Sequence, residues 1–149
     1  MAREATSGGG GLTGGARPTT NGMSVILVVE DELDTRQAIG EYLSTIFPDT
    51  RVVMSESGET ALELAQRTRP SVVLLDLRLR GIHGFEFADR LRRLSATAKT
   101  PIVALTGDMS PDTLLRAEAA GFVAFLRKPA DMDRLEMVLR PILEGASSS

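Results

Sequence analysis

Cysteine is absent from this 149-residue chain, and histidine occurs once, as His83. Without thiols there is no disulfide framework, no thiolate nucleophile and no thiolate metal ligand, a composition at home in a reducing cytoplasm. One imidazole cannot assemble a zinc site, which takes several nitrogen or sulfur ligands. No apolar stretch approaches the roughly 20 residues of a membrane-spanning helix, and the N-terminus lacks the apolar core of a signal peptide. Nor does one charge dominate: 17 Lys and Arg against 20 Asp and Glu leave a net charge of −3. A nucleic-acid-binding face would need a basic excess, so no direct contact with DNA or RNA is expected, and none with a membrane.

What is present divides into a patterned middle and two plain ends. Residues 1–23 are rich in Gly, Ser, Thr and Ala, as in Ser7-Gly8-Gly9-Gly10-Gly11. Such a segment cannot bury enough apolar surface to offset chain entropy, and reads as a flexible tail: disorder, a linker remnant, or an extension ahead of a start at Met23. It neither follows a strand nor opens a helix, so its glycines are not a phosphate-binding loop. Residues 144–149 read as a second flexible tail. The stretch 24–143 reads as one domain, its about 120 residues enough for a core that removes roughly two-thirds of the unfolded surface from water.

Within that domain, apolar runs alternate with helical periodicity. The runs are Val25-Ile26-Leu27-Val28-Val29, a weaker edge-like segment at 51–54, Val72-Val73-Leu74-Leu75, Ile102-Val103-Ala104-Leu105, and Phe122-Val123-Ala124-Phe125-Leu126. Helices are expected over about 34–47, from Ser57-Gly58 to about 68, over 84–94 with Phe85, Ala88, Leu91 and Leu94 at helical spacing (Phe85 and Phe87 cannot both face the core), from Ser110-Pro111 to before Gly121, and from about 131. The last places Leu135, Val138, Leu139 and Ile142 inward, and Pro141 should kink or fray it. Ser110 suits an N-cap and Pro111 a first turn. Apolar runs unbroken by polar residues are strands buried on both faces. The fold class is therefore α/β, a doubly wound (βα)₅ parallel sheet covered by helices on both sides. In such sheets function gathers at the carboxyl ends of the strands.

Four of the runs end there in groups suited to phosphoryl chemistry: Glu30 and Asp31, Asp76, Thr106, and Lys128 one residue past Arg127. If the first and third strands are neighbours, three carboxylates crowd together and raise one another's pKa, a conflict that a hard divalent cation resolves. Mg²⁺ suits all-oxygen ligation and leaves room for phosphate oxygens. Asp76 could then attack phosphorus to form an acyl phosphate, with the Lys128 ammonium neutralising charge and the Thr106 hydroxyl donating to the new group.

These residues carry a resemblance. The stretches Val28-Val29-Glu30-Asp31-Glu32, Leu74-Leu75-Asp76-Leu77-Arg78-Leu79, Ala104-Leu105-Thr106-Gly107-Asp108 and Phe125-Leu126-Arg127-Lys128-Pro129, with Gly84 and Ala120-Gly121, resemble a response-regulator receiver domain of two-component signalling. The resemblance spans about residues 24–143. It implies a flavodoxin-like sheet in the order 2-1-3-4-5, Asp76 as phosphoacceptor, and Glu30 and Asp31 as the acidic metal-binding pair. It further implies the Arg78 backbone carbonyl as a metal ligand, Thr106 and Phe125 as a coupled switch, Lys128 as the phosphate-binding lysine, and a cis Lys128-Pro129 bond. The implied cofactor is Mg²⁺, with Mn²⁺ as a substitute. The implied donor is a histidine kinase or histidine phosphotransfer protein docking on helix 1 (Leu33, Arg36, Gln37, Gly40). The implied outlet is a downstream protein reading helix 4, strand 5 and helix 5. Both the stand-alone regulator and the receiver excised from a hybrid sensor kinase or longer regulator stay open, as does a pseudo-receiver that binds without phosphorylation.

Departures from the family pattern are part of the reading. Arg80 stands where many relatives have proline, and Phe125 replaces the tyrosine of some. Arg78 and Asp108 flank the phosphoryl position, and are expected to pair across it and hinder water attack. Arg78 also occupies the place where aspartyl-phosphate hydrolases carry a second acid, which argues against an enzyme acting on external substrates. His83 reads as an exposed loop residue, Arg90, Arg92 and Arg93 as a solvated face, Met132 and Met137 as packing, and Tyr42 as packing on helix 1.

Overall fold

The computed structural model describes residues 23–148, so the tail expected over residues 1–23 lies, Met23 apart, outside the described residues. Within them the chain runs β1 (Ser24–Val29), α1 (Leu33–Ile46), β2 (Thr50–Ser55), α2 (Gly58–Thr68), β3 (Val72–Asp76), α3 (Gly84–Arg93), β4 (Ile102–Thr106), α4 (Pro111–Ala119), β5 (Ala124–Arg127) and α5 (Met132–Ser148). All strand pairs are parallel, and the sheet order is β2-β1-β3-β4-β5. This is the doubly wound, flavodoxin-like order, and β2 is an edge strand as its weaker pattern predicts.

Alternate residues of a strand face opposite sides of the sheet, which splits the core into two layers. Leu27, Val29, Val73, Leu75 and Ala104 meet α2, α3 and α4 through Ala61, Ala65, Phe87, Leu91 and Ala117. Ile26, Val28, Leu74, Val103 and Leu105 meet α1 and α5 through Ile39, Leu43, Leu135, Leu139 and Leu143. Every residue of β3 and β4 is buried, which is why those segments lack polar alternation.

Local chemistry sets the helix ends. The Ser57 and Ser110 hydroxyls accept from the N–H groups of Thr60 and Thr113, and Pro111 occupies the first turn of α4. At the other end of α4, Gly121 takes φ +82° while its N–H donates to Glu118 and that of Phe122 donates to Ala117. That is a Schellman stop, with Phe122 and Ala117 in the same apolar layer. It takes up Phe122, and although the Val123 N–H already donates to the Ile102 carbonyl, β5 runs from Ala124 and not from 122 as the apolar run suggests.

Other expectations are corrected. On α3 it is Phe87, not Phe85, that is fully buried; Phe85 lies half-buried between the rings of His83 and Phe122. Arg92 is not on a solvated face: it is half-buried and donates to the Thr100 carbonyl at 2.6 Å. Met137 is exposed and packs against nothing apolar in the core, whereas Met132 packs on the α1/α5 layer. The final helix does not end at Pro141 but continues to Ser148, so residues 144–148 are helical where a tail was expected. Proline deprives the Met137 carbonyl of its helical donor, and both residues lie on the solvent side, where water can serve instead.

The start of α3 fixes the loop that leaves β3. The Gly84 N–H donates to the Leu77 carbonyl at 3.2 Å, and a Cβ added at Gly84 would stand 2.7 Å from Leu77 Cα and 3.1 Å from the Asp76 carbonyl oxygen. Those neighbours are backbone and cannot swing aside. Gly84→Ala should lower stability by about 1–3 kcal/mol in urea unfolding, the usual cost of overpacking. Gly107→Ala, whose Cβ would meet nothing within 4 Å, should leave stability within about 0.5 kcal/mol.

Candidate functional site

The parallel sheet delivers the C-terminal ends of its strands to one edge. Val29 is opposite Leu75, so Glu30 arrives beside Asp76; Asp76 is opposite Leu105, so Thr106 follows one step on. Backbone bonds carry the ladder just past the strands, from Glu30 to Ser55, Leu77 to Leu105 and Lys128 to Thr106. The side chains at this edge are therefore held on rigid backbone and not on free loops.

Glu30, Asp31 and Asp76 each offer a carboxylate oxygen within 4.8 Å of the others. Glu30 and Asp76 are buried, at 0% and 2% exposure. The Lys128 ammonium lies between them, 3.0 Å from Glu30 Oε1 and 3.3 Å from Asp76 Oδ2. The second oxygens are also occupied: Glu30 Oε2 accepts from the Glu32 N–H, and Asp76 Oδ1 from the Arg78 N–H. Asp31 is only partly buried and accepts from the Arg80 N–H at 3.1 Å. The Lys128-Pro129 bond is cis, as expected.

Burial pushes the Glu30 carboxyl above the ordinary range, and the Asp76 charge adds to the shift; the bonds from Lys128 and Glu32 offset only part of it. For Lys128, burial pulls downward, but the Glu30 hydrogen bond and the charges of Asp76 and Glu30 outweigh it, so the ammonium is held above its usual range. One ammonium thus serves two buried carboxylates, while the third, Asp31, has the exposed Arg80 side chain 3.7 Å away. An all-oxygen donor set with surplus negative charge fits a hard divalent ion such as Mg²⁺ far better than a soft one.

Thr106 is buried, and its hydroxyl both accepts from the Asp108 N–H at 3.0 Å and donates to the Asp108 carbonyl at 3.2 Å. Phe125 is opposite Ala104, which places it on the same sheet face as Thr106 one diagonal away, half-buried against the α2/α3/α4 layer. The pairing expected between Arg78 and Asp108 is not formed. Asp108 turns instead to α4, accepting from the Ser110 N–H and the Thr113 hydroxyl, and these bonds hold its carboxyl below the ordinary range. Arg78 is exposed and only the weakest contributor to that shift. His83 is exposed, as expected, and its Nδ1 accepts from the Phe85 N–H at the start of α3.

On α1, Leu33 and Gln37 are exposed, while Arg36 donates to the Glu30 carbonyl. Gly40 is buried beneath Met54 and so is removed from the expected docking face. Beside Lys128, a groove between α1 and the turn after β5 is lined by Glu32, Thr35, Ala38, Pro129 and Met132. Sequence reasoning missed the Arg80 N–H on Asp31, although the absence of proline there was visible, and the Thr113 hydroxyl, which had no sequence signal.

Residues 26–140 match the family model described as response regulator receiver domain. Among curated proteins, the sensor histidine kinase AruS of Pseudomonas aeruginosa is 34% identical over 129 residues, 84% of this chain but 13% of that protein. The response regulator GacA of the same organism is 32% identical over 124 residues, 83% of this chain and 56% of that one. The chain thus spans about half or much less of the length of these relatives. Among solved structures, the chemotaxis response regulator CheY4 of Vibrio cholerae superposes with a TM-score of 0.73 at 30% identity, covering 80% of this chain and 98% of that one. The receiver domain of a P. aeruginosa sensor histidine kinase, solved with magnesium coordinated in its active site cleft, gives 0.74 at 26% identity over 82% of this chain and 98% of that one.

The Glu30 shift has a measurable sign. Its carboxyl binds a proton more tightly in the fold than in the unfolded chain, so its contribution is full below the unfolded value and is lost as pH rises through the folded one. Thermal melting of the metal-free protein should show that loss above about pH 4.5, and Glu30→Gln should flatten the profile there. Added Mg²⁺ should raise the melting temperature of wild type, by about 2.7 kcal/mol of stability at a hundredfold excess over its Kd, and the gain should shrink as pH falls.

Proposed function

The chain belongs to the response regulator receiver domain family, and from that premise we propose that it is a phosphorylation-controlled switch with Asp76 as phosphoacceptor. The observation that carries this reading is the Asp76 carboxylate itself. It is buried at a strand end, with one oxygen bound by the Arg78 N–H and the other 3.3 Å from an ammonium.

In the proposed reaction an Asp76 oxygen attacks the phosphorus of a phosphohistidine. The P–N bond breaks as the O–P bond of an acyl phosphate forms, and the histidine takes up a proton. Lys128 neutralises charge on the phosphoryl oxygens, and the Thr106 hydroxyl donates to one of them. Glu30 and Asp31 are the residues for the metal, with Asp76 and the Arg78 carbonyl. Mg²⁺, or Mn²⁺ in its place, would supply charge neutralisation at the equatorial oxygens when bound. Exchanging Thr106 between partners, with Phe125 following, alters the surface of α4, β5 and α5 for a downstream protein. Such a switch needs a bias of a few kcal/mol between two states.

The donor is a histidine kinase or histidine phosphotransfer protein, and the groove beside Lys128, open to the exposed part of α1, supports docking there. Among the described residues no helix is long and apolar enough to cross a membrane, and the net charge of −3 supports no direct nucleic-acid contact. A cytoplasmic setting follows from the phosphodonor class. The matches to a hybrid-type sensor kinase and to a longer regulator support either parent arrangement for this receiver. Arg78, in place of a second acid, supports a signalling role over turnover of external phosphoesters.

Incubation with acetyl phosphate and Mg²⁺ should add one phosphoryl group to the intact mass of wild type. Asp76→Asn and an EDTA control should add none, and Lys128→Ala should slow the gain by about 10²-fold or more. Wild type that stays unmodified would replace the switch with the pseudo-receiver reading.

A further inference from the structure

The turn after β4 does two things at once. Its backbone holds the Thr106 hydroxyl, which donates to the Asp108 carbonyl at 3.2 Å and accepts from the Asp108 N–H at 3.0 Å. Its side chain reaches the other way: Asp108 Oδ1 accepts from the Ser110 N–H at 2.9 Å, and Oδ2 from the Thr113 hydroxyl at 2.6 Å. Ser110 in turn caps the Thr113 N–H. A single residue therefore joins the candidate switch hydroxyl to the first turn of α4.

A hydroxyl has one proton to donate. Thr106 cannot give it both to the Asp108 carbonyl and to a phosphoryl oxygen on Asp76, so the two bonds exclude each other. The helix at the far side of the turn is lightly anchored. Ala117 is its one fully buried residue among those described, Leu115 is 63% exposed, and Arg116 rests on the half-buried Phe85 ring at 4.2 Å. Elements with few buried contacts open at low cost, so the end cap decides a large share of their stability.

We propose that Asp108 is a positioning residue that latches α4 to the Thr106 hydroxyl: its backbone holds the hydroxyl in the unphosphorylated state while its carboxylate pins Ser110 and Thr113, and departure of the hydroxyl toward phosphorylated Asp76 slackens that cap. This rests on the phosphoacceptor reading above and adds to it the route by which α4 responds. It also replaces the expected role of Asp108 as a shield against water. A plain helix cap would make the same bonds to Ser110 and Thr113, but its strength would not depend on what Thr106 does.

The test follows amide hydrogen exchange of residues 112–115 in the full chain, with and without acetyl phosphate and Mg²⁺, while intact mass reports the phosphoryl group in the same samples. Phosphorylated wild type should exchange there roughly fivefold faster than the unphosphorylated protein, the scale of one lost cap. Asp108→Ala should exchange at the faster rate before phosphorylation and change no further after it. Thr113→Val, nearly isosteric and leaving the turn backbone untouched, should do the same should the alanine variant fold poorly. Asp108→Asn keeps one acceptor oxygen for the Ser110 N–H and turns the other contact round, its amide N–H donating to the Thr113 hydroxyl oxygen, so it should respond as wild type does. A phosphoryl adduct with unchanged exchange in wild type would overturn the latch alone, as would a wild-type response in Thr113→Val. Absence of the adduct would overturn the phosphoacceptor reading and the latch with it.

Discussion

The Lys128 ammonium sits between two carboxylates that the fold has taken out of water, and the edge of the sheet is organised around that arrangement. Glu30 and Asp76 come from adjacent strands and would repel each other across a few ångströms without it. Lys128 reaches them from the end of β5, with β4 lying between β5 and β3. The sheet order is therefore a condition of the ion cluster. A different order would leave either the carboxylates unpaired or the lysine without a target, and unpaired buried charge costs several kcal/mol. Even as built, Lys128 and the exposed Arg80 side chain, 3.7 Å from Asp31, face three carboxylates, and that surplus negative charge favours a divalent metal at this edge.

Two kinds of contact meet around that cluster. The carboxylates and Thr106 stand at the ends of strands buried from end to end, and backbone hydrogen bonds continue just beyond those ends. The adjoining turn at Asp108 and the start of α4 have small polar contacts instead of apolar packing. In the proposed switch, the chemical change at the buried edge thus stands next to a turn held mainly by polar contacts. The aromatic layer of His83, Phe85 and Phe122 bridges α3 to the end of α4 and gives that helix a second, weaker attachment.

Much of this was legible in the residues. The unbroken apolar runs at 72–75 and 102–105 marked strands covered on both faces, and polar groups at their ends marked the functional edge. Ser57, Ser110-Pro111 and Gly121 marked helix ends because capping is a local matter of one side chain or one φ angle. Phe122 misled because an apolar residue closing a helix looks the same in sequence as one opening a strand. Phe85 and Phe87 competed for one inward position, and only the packing against α2 and the sheet chose Phe87. Pro141 was expected to kink or fray the last helix, but the helix runs on past it, and at an exposed position a missing helical bond is easily replaced by water.

The candidate site divides in the same way. The types of group at the strand ends, and hence the class of chemistry open to them, follow from the sequence alone, because they depend on residue identity and on periodicity. Which charges touch was decided by tertiary structure. Asp108 bonds to Ser110 and Thr113 in preference to Arg78 because two donors of its own turn lie within hydrogen-bond reach, whereas a long exposed arginine gives up side-chain freedom and hydration to make a distant pair. In the same way the Arg80 N–H found Asp31 across a loop, and Lys128 found Glu30 and Asp76 across the sheet. Contacts between residues far apart in the chain depend on the register and order of the strands, which no local pattern encodes.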